Sequence, residues 1–571
     1  MNTMFKHRIL AGALFFMSLI GFSSCDDKID GLQVTEEAPF ADKTLYEVIA
    51  NDSELSDFLE VIKSCSIENR DFADSLLNKA RVYTVWAPLN KSFDKQYWLD
   101  KIANGEREDV VKTFVFAHIA NHLHPANGEL KKGNQVIMLN TKMSQFEGDY
   151  KTAEYSFSGC RLVDLNERVW NGMLHKISGM SEYEYNIWEY LKMGSAYING
   201  YEIDSVANYL YSFDVVEFSP GSSILGPIKD GAQTYLDSVF VKSNRMLNVY
   251  NGVGPLDAED SLYTVYIPTN DVWKAALVDA KRFYHYDYKQ NLPAAMDSVY
   301  IDSLMNYYPY FNIIKYISYS DNEQRYVSSP DSIIPAYRGG KRPLFAKSQL
   351  DNGNVVFSKT LSNGTFKVVN KLPYSSAELW YDTIRIEGED TEMRTAVSNC
   401  IEYPRYAPLN QINPIFGGNA KISGNRYFEG FSEKDKASAT FCLPNVLSAK
   451  YKVAIIVVPK HITNTKVDDD ELLPSRYNIT ISQSEAGILY DSKRKIKSDP
   501  TRLDTIFLTV DDTDEIATIE FPYCEYYNTY SSKDFSAKLT LETDGGARPQ
   551  NYDMSLRIDA ILLIPVLDTE E

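Results

Sequence analysis

The sequence predicts an α+β chain: two tandem α/β modules followed by an all-β sandwich. Three observations predict it. A run of strand, proline, polar cap and apolar helix occurs twice, starting at Tyr83 and again at Tyr263. Each run is followed by an Asn-Gly turn into a second apolar strand, at Asn171-Gly172 and at Asn363-Gly364. From about Ala377 onward the pattern becomes short alternating runs separated by polar turns, with no helical period between them. The 571 residues, 44% hydrophobic and 24% charged, are enough for about three domains and exclude a largely disordered chain. With 58 Lys and Arg against 78 Asp and Glu the net charge is −20, and no basic run is long enough to reverse that field. Nucleic acid is therefore excluded as a partner, because phosphate contacts need a basic face.

Residues 1–25 read as an address. Lys6 and Arg8 precede Ile9 to Phe22, a stretch of 14 uncharged residues that is too short to span a bilayer but suits the apolar region of a secretory signal. Ser23 and Ser24 then lead to Cys25. This resembles a bacterial lipobox, with Phe22 where that pattern usually has Leu, and the resemblance implies acylation of Cys25. Each buried CH₂ of an acyl chain contributes about 0.8 kcal/mol, so a multiply acylated cysteine holds a body at a membrane without a spanning helix. Residues 26–43 read as a polar tether. Their Asp26-Asp27 pair resembles the surface-export signal of Bacteroidetes lipoproteins, which implies an outer-membrane protein facing the cell exterior.

The first module, residues 44–180, opens with the helix Thr44-Leu45-Tyr46-Glu47-Val48-Ile49. Its first box is Tyr83-Thr84-Val85-Trp86-Ala87-Pro88-Leu89-Asn90-Lys91-Ser92-Phe93: a β-branched and aromatic strand stops at Pro88, and Asn90 is placed to cap a helix carrying Phe93. Its second box is Asn171-Gly172-Met173-Leu174-His175-Lys176-Ile177, where Asn-Gly is expected to supply a positive-φ turn. The second module, residues 186–375, repeats the order: Asn186 to Leu191, then Tyr263-Thr264-Val265-Tyr266-Ile267-Pro268-Thr269-Asn270, then Asn363-Gly364-Thr365-Phe366-Lys367-Val368-Val369.

These paired boxes resemble the fasciclin (FAS1) domain, and His118 matches that family's central histidine. In the second copy Tyr316 replaces it and Lys367 stands where the first has His175. That copy is also some fifty residues longer, and the excess is expected between the boxes and around Tyr284 to Tyr310. The resemblance implies compact modules used mainly for adhesion and for extracellular protein or glycan contact, and it brings no catalytic residues.

In residues 376–571, strands are expected at Ala439–Pro444, Tyr451–Val458, Thr505–Val510, Ala517–Phe521 and Leu556–Ile564, a spacing that suits a β-sandwich. The closing strand, with Asp559 before an apolar run, resembles the galactose-binding type of jelly roll.

Candidate chemistry is sparse. His118 and His122 are four apart, a helical spacing that would suit zinc, but there is no H-E-x-x-H, and packed histidines are the plainer reading. Asp468 to Asp470 and Asp511 to Glu515 lack EF-hand spacing and read as solvated turns. Cys65, Cys160, Cys400, Cys442 and Cys524 form no C-x-x-C pair and are expected to be small buried hydrophobes. No nucleophile elbow, P-loop or G-x-G-x-x-G is present, so no enzyme activity, metal or cofactor is expected. Tyrosine is the abundant aromatic, with 40 copies against 27 Phe, and flat rings bearing hydroxyls stack on sugars or anchor proteins. Tyr523, Tyr526, Tyr527 and Tyr530 in a sandwich loop, with Tyr284 and Tyr286 in the second module, are the expected ligand-binding residues. Tyr183 to Tyr211 form a further cluster, which could equally face a wet core edge.

The triplet Asp, Ser or Thr, aliphatic occurs nine times, for example at Asp74-Ser75-Leu76 and Asp504-Thr505-Ile506, where average composition gives roughly two or three. It resembles the O-glycosylation acceptor of exported Bacteroidetes proteins, although Asp-Ser also starts helices and turns. If the triplets are modified, the intact mass of native protein will exceed that of the chain by whole hexose-containing units; an unmodified mass removes the idea. The expected function is a non-catalytic surface lipoprotein that captures a glycan or peptide nutrient beside a TonB-dependent transporter. The alternative is an adhesin contacting host matrix or neighbouring cells.

Overall fold

The computed structural model describes residues 42–566 apart from 68–70, 150, 153, 194–197, 230–231, 238, 286–305, 327–328, 341, 373–380, 417–419, 465, 468–470, 484–485, 509–515, 526–536 and 547. Cys25 and most of the tether, Tyr286, Tyr526, Tyr527, Tyr530 and both acidic clusters lie outside the described residues. The chain divides into two compact units, Met1–Tyr183 and Glu184–Glu571. Among the described residues no helix is long and apolar enough to cross a membrane.

In the first unit the two boxes are neighbouring strands. Strand β1 (Tyr83–Pro88) runs antiparallel to β2 (Ile119–Asn121) and parallel to β7 (Gly172–Ile177), with Tyr83 opposite Gly172 and Trp86 opposite His175. The sheet continues through β6 (Cys160–Val169), β5 (Glu154–Phe157), β4 (Met143–Asp149) and β3 (Gln135–Ile137). All six residues of β1 are buried, as a strand covered on both faces must be. The helices Leu45–Asn51 and Ser56–Ser64 supply Leu45, Ile49, Phe58 and Ile62 to the core beneath it.

The second unit repeats this frame. Strands β8 (Asp214–Phe218), β9 (Ile224–Lys229), β10 (Ala232–Asp237) and β11 (Phe240–Asn244) form two hairpin ribbons. Then β12 (Tyr263–Pro268) pairs antiparallel with β13 (Ser318–Ser320). After the short pair β14 (Ser332–Ile333) and β15 (Phe345–Ala346) come β16 (Val355–Leu361) and β17 (Gly364–Val369). Strand β12 is parallel to β17 in the register of the first unit, Tyr263 opposite Gly364 and Tyr266 opposite Lys367.

The Asn of each second box does the same work twice. Asn171 accepts from Leu45 N at 2.8 Å and donates to the carbonyls of Leu77 and Lys79. Asn363 accepts from Ile187 N at 2.8 Å and donates to Leu256 and Ala258. A buried amide thus ties the opening helix to the loop before the first box, and its polar groups are all satisfied.

Three expectations need correcting. Asn90 does not cap the helix that follows it. Asp94 caps that helix, Lys95–Ala103, while Asn90 reaches back to Asp57 N at 2.9 Å and Ser53 O at 2.8 Å. Asn270 does likewise, accepting from Ser205 N at 3.0 Å. Both amides serve a preceding helix start, which is satisfied only by a tertiary partner. The Asn171-Gly172 step is not a positive-φ turn either. Gly172 is required because a Cβ there would lie 2.1 Å from Tyr83 O, although Gly364 does have φ +138°. Thirdly, the extra length of the second copy lies mainly before its first box. Tyr83 follows Leu45 by 38 residues and Tyr263 follows Ile187 by 76, whereas the boxes are 89 and 101 apart. The additional residues include the ribbons β8–β11.

The C-terminal residues form two antiparallel sheets. One is seven-stranded and holds 401–406, 426–431, 556–565, 450–457 and 504–507 in that order, with 384–387 and 518–520 joined to it. The other is six-stranded and holds 394–398, 438–443, 537–543, 476–483 and 487–491, with 496–497 joined. Alternation is plain in Arg476–Gln483 and Ala537–Thr543, where every second residue is buried. The core between the sheets is continuous with that of the second module, running from Ile187 and Phe283 through Tyr381 to Tyr451 and Leu563. Residues on either side of position 375 therefore belong to one compact unit.

Candidate functional site

The tyrosines chosen from sequence fall at this junction inside the second unit. The helix Asn270–Arg282 ends at Phe283, whose carbonyl accepts from Ser448 N at 2.9 Å and whose ring meets Tyr381 at 5.2 Å. Tyr284 follows and is only 1% exposed; its hydroxyl accepts from Asn312 Nδ2, and its ring lies parallel to Tyr308. Tyr284 is thus a core residue and not a ligand contact, because the chain turns inward where the helix docks on the sandwich. Tyr523 is half-buried, stacked on His285 at 6.1 Å, and its carbonyl accepts from Gln483 Nε2. Of the further cluster, Tyr209 stacks on Tyr310 at 5.0 Å and packs against the core, where burial pushes its phenol up.

The histidines of the first unit are structural. His118 Nδ1 donates to Phe114 O at 2.7 Å and Nε2 accepts from Ser181 N at 3.0 Å, an arrangement that requires the neutral ring. His175 accepts from Asn166 N on Nδ1, donates to His124 O on Nε2, and lies under the Trp86–Phe157 stack. Burial pulls both pKa values down to about 4. His122 sits at φ +68° beyond β2, so it does not share a helix face with His118. Among the described residues no group of three or more metal-ligating side chains converges. In the second unit the corresponding places are filled differently: Lys367 Nζ lies 2.5 Å from Asp351 Oδ1, to which Tyr266 also donates, and Tyr316 packs against Tyr337 and Phe345. Cys65, Cys160 and Cys400 are unpaired thiols, and Cys442 and Cys524 are buried.

The sequence reading missed a cleft in the first unit. It has a volume of about 760 Å³, opens to solvent, and is walled by the loop 128–132 and by β4, β5 and the start of β6. The register places Gly148 opposite Tyr155, Glu147 opposite Ser156, and Ser156 opposite Arg161. A Cβ at Gly148 would lie 2.4 Å from Tyr155 Cδ1, so the absence of a side chain there lets the tyrosine ring lie against the β4 backbone with Leu130 beside it. Phe146 and Phe157, next on the same face, are buried and anchor the hairpin on Trp86. Glu147 accepts from Gly133 N at 2.6 Å, which ties the loop to β4, and Asp149 accepts from Lys151 N at 2.9 Å at the hairpin turn. The result is an open groove bordered by one half-buried aromatic ring and by charged residues of both signs. Its sequence signal was one Tyr among forty, distinguished only by the Gly placed opposite it.

No family model matches the chain, and no curated protein does. Among solved structures it is similar to the FAS1 domain pair of the insect cell adhesion molecule fasciclin I, at 10% identity over 58% of this chain and 97% of that one, with a TM-score of 0.18. It is similar also to a family 35 carbohydrate-binding module from Clostridium thermocellum, at 9% identity over 32% and 99% of the chains with a TM-score of 0.19. A family 11 carbohydrate-binding module from the same organism, in complex with a β-1,3-1,4-mixed-linked tetrasaccharide, shares 11% identity over 32% and 96%, with a TM-score of 0.17.

Proposed function

We propose that this chain is a non-catalytic, lipid-anchored protein of the outer-membrane surface that holds a glycan beside a TonB-dependent uptake system. The cleft of the first unit is where the glycan sits. The observation that carries this reading is the Tyr155 ring laid against Gly148 in an open groove. Apolar sugar faces stack on such a ring, at low entropy cost because the ring is already held. An open groove also suits an internal segment of a polymer. The lipobox at Cys25 and the Asp26-Asp27 pair support the location.

The test is binding of the full chain to a glycan array, followed by titration of each hit against Tyr155→Ala. The variant is expected to lose about tenfold in affinity or more, since each tenfold is about 1.4 kcal/mol, with an unchanged circular dichroism spectrum. Equal binding by the variant would move the site elsewhere, and cleavage of a bound polymer would end the non-catalytic reading.

Contact with a neighbouring protein is a second reading, favoured by the ribbons β8–β11. There Val216, Leu225, Ile228 and Phe240 are each more than 60% exposed on two-stranded ribbons. Partner capture abolished by Ile228→Lys and unaffected by Tyr155→Ala would favour it.

A further inference from the structure

We infer that the cleft takes a negatively charged saccharide, one bearing uronate carboxylates or sulfate esters. The inference rests on the glycan reading of that cleft and names the class of sugar. In a chain of net charge −20, this groove is lined by Lys131, Lys132, Lys151 and Arg161. Among the described residues none of these four cations has a carboxylate within salt-bridge distance. By contrast, Lys95, Lys101 and Lys176 of the same unit each have two or three.

The cleft does contain Glu147, Asp149 and Glu154, but two of these carboxylates are already engaged by backbone amides. Glu147 holds Gly133 N, and Asp149 holds Lys151 N. They shape the loop and the turn that present the lysines, and with Glu154 they leave four cations against three carboxylates in the lining. Arg161 stands opposite Ser156 in the β5–β6 register, so the two leave the same face of the hairpin, the one opposite to the Tyr155 ring, and both residues border the groove. That pair suits a carboxylate or sulfate, which a guanidinium binds through two parallel N–H donors.

The overall negative charge does not forbid such a ligand. At physiological ionic strength the field of distant carboxylates is screened over about 8 Å, so a ligand inside the groove is governed by the groups lining it. A long polyanion lying across the wider surface would meet the acidic exterior. This favours a short charged segment alternating with sugar faces for Tyr155, over nucleic acid.

The experiment titrates the full chain with four probes: oligogalacturonate, a heparin oligosaccharide, cellohexaose as a neutral sugar, and a single-stranded oligonucleotide. Each is measured at about 50 mM and about 300 mM NaCl, with wild type, Arg161→Gln and the double variant Lys131→Gln/Lys132→Gln. One of the two acidic sugars is expected to bind at least about tenfold tighter than the neutral one, and to weaken by about tenfold with salt and in either variant. Oligogalacturonate prevailing points to carboxylate recognition, and heparin prevailing, which adds sulfate to its uronate carboxylates, points to a requirement for sulfate. Neutral sugar bound equally well, with loss on Tyr155→Ala but not on Arg161→Gln, would overturn the charge inference and leave the glycan reading standing. No sugar bound in the cleft would overturn both. Oligonucleotide bound as tightly as the acidic sugars would overturn the inference in favour of unspecific polyanion binding. Should Arg161→Gln misfold, Arg161→Lys keeps the charge and loses the fork, and is expected to retain salt dependence while losing affinity.

Discussion

Glu429→Ala is expected to destabilise the second unit by up to about 3 kcal/mol, the cost of taking one of two carboxylates from a buried charge. Glu429 and Arg557 are opposite one another on adjacent strands of the seven-stranded sheet and are 5% and 4% exposed. Arg557 Nε lies 2.6 Å from Glu429 Oε1, and its other arm is paired with Asp553. The second oxygen of Glu429 takes Arg405 from the neighbouring strand, so one carboxylate joins three strands. Truncating it leaves a guanidinium that water barely reaches with Asp553 as its remaining carboxylate partner. Urea unfolding of the full chain reads the cost as a shift of the transition that belongs to residues 184–571. Replacing Glu429→Leu, Arg557→Met and Asp553→Asn together is expected to recover part of the loss, because none of the three positions then carries a charge that needs a partner. A single-variant cost under about 1 kcal/mol would show that water or a rearranged Asp553 satisfies Arg557.

Acidification is expected to weaken the first unit. His118 and His175 have folded pKa values of about 4, against about 6.5 in an unfolded chain. Between those values the unfolded state binds more protons than the folded one, so stability rises with pH across the window and is lost as pH falls from about 6.5 to about 4. Desolvation is the main cause for both rings: His118 faces Phe58 and Phe114, and His175 faces Trp86 and Phe146. The charged and titratable neighbours of His175 are His124, which lowers its pKa further, and Asp164, which opposes that slightly. Each ring contributes at most about 3 kcal/mol over the window. The measurement is the slope of unfolding free energy against pH, taken for wild type and for His118→Gln and His175→Gln. Each variant is expected to flatten the slope whatever it does to stability at neutral pH. An unchanged slope in both would mean that the rings titrate in the folded state as they do in the unfolded chain.

The paired boxes illustrate what local sequence carries. Tyr83 to Pro88 and Tyr263 to Pro268 read as buried strands because β-branched and aromatic residues run unbroken to a proline, and both are buried at every position. The Asn-Gly pairs were legible as strand openings, but their cause was not. Gly172 is required by a carbonyl 89 residues earlier in the chain, and Asn90 serves a helix that precedes it. Neither partner lies within the window over which periodicity acts.

The sequence by itself determined the duplicated strand-and-helix frame and the change to β-structure near residue 377, because each is written in residue type and period over a few turns, whereas the neutral state of His118 and His175 is set by Ser181 N and His124 O, 63 and 51 residues away. Only the tertiary structure decided where the tyrosines went. Tyr284 and Tyr155 look alike in sequence, yet one is buried at the junction of module and sandwich while the other lies in an open groove against a glycine. The same holds for the fusion of the second module and the sandwich into one core, and for the gathering of Lys131, Lys151 and Arg161. Burial and charge clustering depend on which distant strands become neighbours, and that pairing is a property of the whole packed chain.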